Sequence, residues 1–284
     1  MTDFHTPDSL FLKNDCEGEL ALSRLDQKKE WYLEYEILIN RPGLLGDISS
    51  LLGMLSINIV TINGIDRGRR GLLILANNDY QIARLESILR QMETIRLLKL
   101  REPELRDRIA VRHGRYIQRD KGDRKTIRFV RDEIGLLVDF MSEIFKRDEP
   151  SVIGIRGMPR VGKSESIVAA SVSANKKWLF ISSTLLKQTL RENLFRDEYN
   201  NDNIYIIDGA VSAKSLNERH WALIREIMNL PVTKVIEHPD LFVHAFNYSW
   251  DDFDYIIELR HDEAEEIRYD TNLLSGSDFD GYDF

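Results

Sequence analysis

The stretch GIRGMPRVGKSES, residues 154–166, limits the possible folds of this chain more than any other. Gly157, four intervening residues, Gly162, Lys163 and Ser164 satisfy the spacing GxxxxGK[ST], directly after the apolar run SVIGI and before a segment with helical character. A loop between a strand and a helix needs glycine where the backbone curls, so that successive amides face one centre. The start of the following helix adds the positive end of its dipole. Such a turn is expected at the carboxyl edge of a parallel sheet. Its expected chemistry is a grip on phosphate by Gly157, Met158, Pro159, Arg160, Val161, Gly162, Lys163, Ser164 and Glu165. Lys163 would neutralise the β and γ oxygens, and Ser164 would hold Mg²⁺. A glycine-rich turn with a purely structural role is the plainer alternative.

The rest of the C-terminal half suits that loop. TIRFVRDEIGLLVDFMSEIFKRDEP, residues 126–150, places Ile134, Leu137, Val138, Met141, Ile144 and Phe145 at helical spacing. Five apolar strands follow, SVIGI, KWLFIS, NIYIID, TKVIEH and YIIEL. Helices are expected between them from about Lys163, from about Thr184 and through NERHWALIREIMNL. Alternating strands and helices of this kind predict a doubly wound parallel α/β sheet. Asp208 ends NIYIID, where a carboxylate can reach Mg²⁺ through water. Glu237 ends the next strand and is the remaining candidate for a catalytic acid or base, with a solvated strand-end acid as the plainer reading.

Residues 129–166 resemble the head of ATPases in the AAA and STAND-like branch, with Val130, Arg131, Asp132 and Glu133 standing where a Gly-Arg-Glu stretch precedes the adenine-covering helix. The resemblance implies ATP over GTP, and no guanine-reading NKxD follows downstream. In such ATPases the strand-end Asp is commonly followed by a Glu that polarises water. Here Gly209 and Ala210 follow, and Arg156, Arg160, Arg191 and Arg219 are candidates for an arginine finger by residue type alone.

The N-terminal half reads differently. A strand through EWYLEYEILIN, a helix from RPGLLGDISSLLGML, a hairpin of NIVTINGID and GLLILAN, a helix through YQIARLESILRQM capped by Asp79, and a strand TIRLLKL give the order βαββαβ. That is a ferredoxin-like α+β arrangement. NRPGLLGDISSLLGMLSINIVTINGID resembles an ACT domain, a ligand-sensing module of amino-acid metabolism, over about residues 31–102. Asn40 stands where that family usually has Asp, and Ser56 where it has Gly. The resemblance implies pairing into a homodimer and an effector site for an amino acid or other small metabolite at Asn40, Gly43, Leu44, Gly46 and Asn58. Glycines that only let the chain turn are the alternative.

The resulting organisation is an extension over residues 1–30, the ACT-like domain over 31–102, a basic linker over 103–125, the P-loop NTPase-like domain over 126–262 and an acidic flexible tail over 263–284. Residues 101–131 hold eleven Lys or Arg against five Asp or Glu. This basic stretch reads first as an interdomain connector and second as a nucleic-acid contact. The net charge of −8 opposes nonspecific binding to nucleic acid or to an anionic membrane. The single cysteine, Cys16, excludes an internal disulfide. With no apolar run of roughly 20 residues and no readable signal sequence, a cytoplasmic protein is expected.

Joined in this order, the modules resemble a bacterial family, the YmfK-like proteins of unknown function. The leading expectation is an ATP-binding regulatory protein in which MgATP occupancy shifts the arrangement of two domains and hydrolysis is slow or absent. A small-molecule kinase, with Ser182, Ser183 and Thr184 on the acceptor side, and a nonenzymatic nucleic-acid or assembly adaptor are the alternatives.

Overall fold

The computed structural model describes residues 28–117, 123, 125–184, 189–215 and 217–267. Cys16 and most of the acidic tail lie outside these residues. The chain divides into two units, one ending at Tyr116 and the other beginning at Ile117.

In the first unit, β1 (Lys29–Ile37), α1 (Leu44–Met54), β2 (Asn58–Asp66), β3 (Arg69–Ala76), α2 (Asp79–Leu89) and β4 (Ile95–Arg101) follow in that order. The strands form an antiparallel sheet ordered β2-β3-β1-β4. Leu33, Tyr35, Leu72 and Ile74 pack with Leu44, Ile48, Leu51 and Leu52 of α1 and with Ile82, Leu85 and Leu89 of α2. The imperfect alternation of β1 has a cause, because the sheet is covered on both faces. Tyr32 and Leu73 point the other way, to Ala110 and Val111 of a further helix, α3 (Leu105–His113).

Helix α3 is where the basic stretch departs from a solvated connector. Asp107 accepts from the Glu104 amide at 2.9 Å to open it, and Gly114, left-handed at φ 72°, closes it. Asp107, Ile109, Ala110 and Val111 are buried, and Arg101 pairs with Asp107 at 2.8 Å. The charge of the stretch masks a short apolar stripe. Helix α2 is capped by Asn78 and not by Asp79. The Asn78 side chain accepts from the Gln81 amide at 3.0 Å, and the Gln81 side chain accepts from the Asn78 amide at 3.3 Å.

The second unit contains β5 (Thr126–Val130), α4 (Ile134–Phe145), β6 (Val152–Arg156), α5 (Lys163–Ser173), β7 (Lys177–Phe180), β8 (Ser182–Ser183), β9 (Thr189–Leu190), β10 (Asn203–Asp208), α6 (Gly209–Lys214), α7 (Glu218–Asn229), β11 (Lys234–Glu237), α8 (Pro239–Phe246) and β12 (Tyr255–Arg260). Six strands form a parallel sheet ordered β5-β12-β6-β11-β10-β7. Strand β5, TIRFV, adds a sixth strand to the five expected, with Ile127 and Phe129 buried and Arg128 exposed.

The helix expected from about Thr184 is not found among the described residues there. Ser182–Ser183 instead pairs antiparallel with Thr189–Leu190, and the Ser182 hydroxyl is drawn to the end of β10. A run of hydroxyl residues that bond to nearby backbone is a poor helix start. Among the described residues, no helix is long and apolar enough to cross a membrane.

Candidate functional site

The carboxyl end of β6 runs into the 157–162 turn, which delivers the chain into α5. A Cβ on Gly157 would lie 2.4 Å from the Leu259 carbonyl oxygen of β12, so only glycine lets the turn leave the sheet this closely. Gly162 caps α5 in the left-handed region at φ 108°, and a Cβ there would meet the Ile134 side chain of α4 at 2.8 Å. Val161 is buried, and the Arg131 guanidinium donates to the Arg160 carbonyl at 2.9 Å. The start of α4 thus braces the turn from behind.

Lys163 sits at the first position of α5, 5% exposed, and its ammonium donates to the carbonyls of Gly157 at 2.9 Å and Met158 at 3.0 Å. Burial lowers its proton affinity, while Glu237 and Asp208 act in the opposite sense. Those two acids end β11 and β10. The parallel register sets Asp208 beside Glu237, and Glu237 beside Ile155 of β6. Residues paired in this way share one face of the sheet.

Glu237, not Asp208, therefore ends the strand adjacent to the turn, and β11 separates Asp208 from β6. Asp208 is 5% and Glu237 6% exposed. Burial raises the Asp208 carboxyl above its ordinary range. Burial likewise raises Glu237 to about 7, with a hydrogen bond from Ser164 opposing the rise and the Asp208 charge reinforcing it. Burial, aided by Lys163, lowers His238 to about 4.

Asp208 carries a second task. One carboxylate oxygen accepts the amides of Ala210 at 2.9 Å and Val211 at 3.1 Å, capping α6. Gly209 is locked by packing: a Cβ would lie 2.6 Å from the His238 carbonyl and 2.8 Å from that of Glu237. No Glu fits at position 209 without moving the backbone of β11.

The structure thus gathers Gly157, Met158, Val161, Gly162, Lys163, Ser164, Asp208 and Glu237 around one strand-end edge, with Pro159, Arg160 and Glu165 on its exposed side. Of the arginines singled out by type, Arg191 pairs with Glu198 at 2.6 Å and Arg219 with Glu192 at 3.6 Å. Arg156 pairs with Asp240 at 2.7 Å. In the first unit, Asn40, Gly43, Gly46 and Asn58 are exposed, whereas Leu44 is buried in the core. An ion pair of Arg41 with Asp47 spans that turn, a feature that spacing alone does not mark.

A buried hydrogen-bond chain behind Asp208 also escapes sequence reading. Ser182 Oγ receives the Asp208 amide at 2.8 Å and contacts Ser212 Oγ at 2.8 Å. Ser212 meets His220 Nε2 at 3.0 Å, and His220 Nδ1 meets the Arg191 carbonyl at 2.6 Å. Ser182, Ser212 and His220 are scattered over 39 residues of sequence, and only the fold collects them.

Residues 97–281 match the family model described as a protein of unknown function, DUF3388. The chain is also 64% identical over 261 residues to a protein of Bacillus subtilis (strain 168) described as "Uncharacterized protein YmfK". That alignment covers 90% of this chain and 97% of the relative. The family match takes in Gly157 to Ser164, Asp208 and Glu237, whereas the Asn40 to Asn58 turn lies before it.

Proposed function

The chain belongs to the DUF3388 family, whose description assigns no activity, and from the chemistry of the site we propose that it is an ATP-binding regulatory protein. In this reading the second unit is P-loop NTPase-like and binds MgATP, and the first is an ACT-like module that dimerises or binds an amino acid or other small metabolite. One observation carries it: Lys163, buried at the start of α5, is held by the Gly157 and Met158 carbonyls next to Ser164, with two buried acids ending the neighbouring strands. The parallel sheet with this turn at its carboxyl edge supports a phosphate site.

The residues also fit a divalent cation. Burial raises the proton affinity of both carboxyls and the Asp208 charge raises that of Glu237 further, and a hydrated cation beside the Ser164 hydroxyl would offset both effects. When bound, Mg²⁺ would neutralise phosphate charge. Ser164 and one of the two strand-end acids, Asp208 or Glu237, would hold it, while the turn amides and Lys163 orient the phosphates.

Slow or absent hydrolysis follows from two features of the chain itself. The steric limit at Gly209 bars an acid after Asp208, and three of the four candidate arginines, Arg156, Arg191 and Arg219, are engaged in ion pairs, while Arg160 stands exposed in the turn. Nucleotide occupancy then acts as a signal, linked to the ligand or assembly state of the first unit. The βαββαβ order and the exposed turn at Asn40, Gly43 and Gly46 support the ACT-like assignment.

The alternatives have less support. A kinase would need an accessible acceptor side, yet Ser182 is fully buried and bonded to the Asp208 backbone. For a nucleic-acid adaptor the basic stretch should present unpaired cations, yet Arg101, Arg106, Arg108 and Arg128 each pair with Asp or Glu. Equilibrium binding of labelled ATP to the wild-type chain and to Lys163→Ala tests the proposal. Equal affinity in the two would refute it.

A further inference from the structure

We infer that the acid holding the metal at this site is Glu237, and that Asp208 serves as an architectural cap behind it. The inference rests on the MgATP reading above and departs from the role that strand-end position alone gives Asp208. Three independent features of the fold lead to it.

The first is proximity in the sheet. β11 is hydrogen-bonded directly to β6, with Glu237 in register with Ile155, two residues before Gly157. Asp208 is one strand further away. The second is the partner of Ser164. Its hydroxyl, the protein's own oxygen for a cation at the start of α5, is hydrogen-bonded to the Glu237 carboxylate. A hydroxyl and a carboxylate already in contact can both turn to one cation without moving the backbone.

The third is the occupation of Asp208. One of its carboxylate oxygens takes two amides of α6, and its own amide donates to the Ser182 hydroxyl at 2.8 Å. The next residue, Gly209, is wedged beneath the carbonyls of Glu237 and His238. Three hydrogen bonds fix Asp208, so a shift toward the turn would break a helix cap. Mg²⁺ demands near-octahedral oxygen geometry at short distances, which a carboxylate tied in this way meets poorly.

Among the described residues, no group of three or more His, Cys, Asp or Glu side chains could hold a metal ion. Ser164 and Glu237 would thus supply the protein's oxygens, and nucleotide phosphate and water would complete the shell. Cation binding then depends on nucleotide, and nucleotide affinity depends on the cation.

The test measures the affinity of the full chain for radiolabelled ATP, with excess Mg²⁺ and with EDTA, for wild type, Glu237→Gln and Asp208→Asn. Both substitutions preserve shape, and Asn retains the capping oxygen. Near-UV circular dichroism checks that each variant is folded. The wild-type chain is expected to bind about tenfold or more tightly with Mg²⁺, a difference of about 1.4 kcal/mol. In Glu237→Gln the ratio should fall to within about twofold of unity, while Asp208→Asn should keep most of it.

Loss of the Mg²⁺ effect in Asp208→Asn with retention in Glu237→Gln overturns the assignment, as does equal loss in both. A wild-type chain that binds ATP equally with and without Mg²⁺ overturns the metal role and leaves the nucleotide reading standing. A wild-type chain that binds no ATP overturns both. As an independent readout, electron paramagnetic resonance of Mn²⁺ with the ATP complex should show a broadened bound signal in wild type and Asp208→Asn. That signal should be lost in Glu237→Gln.

Discussion

The Lys163 ammonium donates to the Gly157 carbonyl at 2.9 Å, tying the lysine that closes the GxxxxGK[ST] spacing to the glycine that opens it. The same ammonium reaches the Met158 carbonyl at 3.0 Å, so one buried cation holds the carbonyls of the turn's first two residues. The glycine is required from the other side, where β12 passes so close that a methyl group meets a backbone oxygen.

Gly157→Ala should therefore destabilise the second unit by about 1–3 kcal/mol, the usual cost of forcing atoms into a filled site. The added Cβ would lie 2.4 Å from the Leu259 oxygen and 2.9 Å from Val161 Cγ1, and neither the strand nor the buried valine yields cheaply. Gly46→Ala is the contrast. It lies within α1 with nothing within 4 Å of the added atom, so it should gain about 0.5–1 kcal/mol from helix propensity. Urea unfolding of the two variants should move the midpoints in opposite directions.

The contrast also explains what could be read in advance. The turn, the apolar strands beside it and both strand-end acids follow local patterns, so spacing and hydropathy found them. What spacing missed was decided by the third dimension. Strand order makes Glu237 the neighbour of β6, although Asp208 comes first in the chain. Residues 105–113 hide three buried apolar positions among arginines, and a period of one short helix is weak against so much charge. At α2, Asn78 and Asp79 are both suitable caps, and only the reciprocal bond with Gln81 selects the former. Where spacing suggests a helix from about Thr184, the described residues hold the short β8–β9 pair, with the Ser182 hydroxyl drawn to the end of β10.

The buried pair of Glu237 and His238 predicts a pH dependence with opposing signs. Between its ordinary value of 4.5 and its folded value of about 7, Glu237 keeps a proton in the folded state that the unfolded chain has lost, so its contribution to stability falls as pH rises. Between about 4 and 6.5, His238 is neutral when folded and protonated when unfolded, so its contribution rises with pH. The two slopes oppose each other below pH 6.5 in wild type. Glu237→Gln removes the falling one. In metal-free buffer the variant should gain stability from pH 5 to 6.5, and near pH 8 it should exceed wild type by on the order of 2 kcal/mol. Chemical unfolding across that range measures it, and a variant that tracks wild type at every pH contradicts the burial of Glu237.

The chain behind Asp208 predicts a coupled loss. Burial favours a neutral His220, which donates from Nδ1 to the Arg191 carbonyl and so accepts at Nε2 from Ser212. Ser212 then accepts the single hydroxyl proton of Ser182, which in turn accepts the Asp208 amide. Ser182→Ala leaves the Asp208 amide without its hydroxyl partner inside a closed core, at a cost of about 1–3 kcal/mol. Ser212→Ala strands His220 Nε2 in the same way, with a similar loss. Because both hydroxyls belong to one chain, the double variant should lose less than the sum by at least about 0.5 kcal/mol. A double-mutant cycle by denaturant unfolding measures that difference, and strict additivity would mean the two serines act as separate contacts. The distinction bears on the site, because the chain starts at the amide of Asp208 and a coupled chain adds its hold on β10 to the helix cap that the Asp208 carboxylate makes.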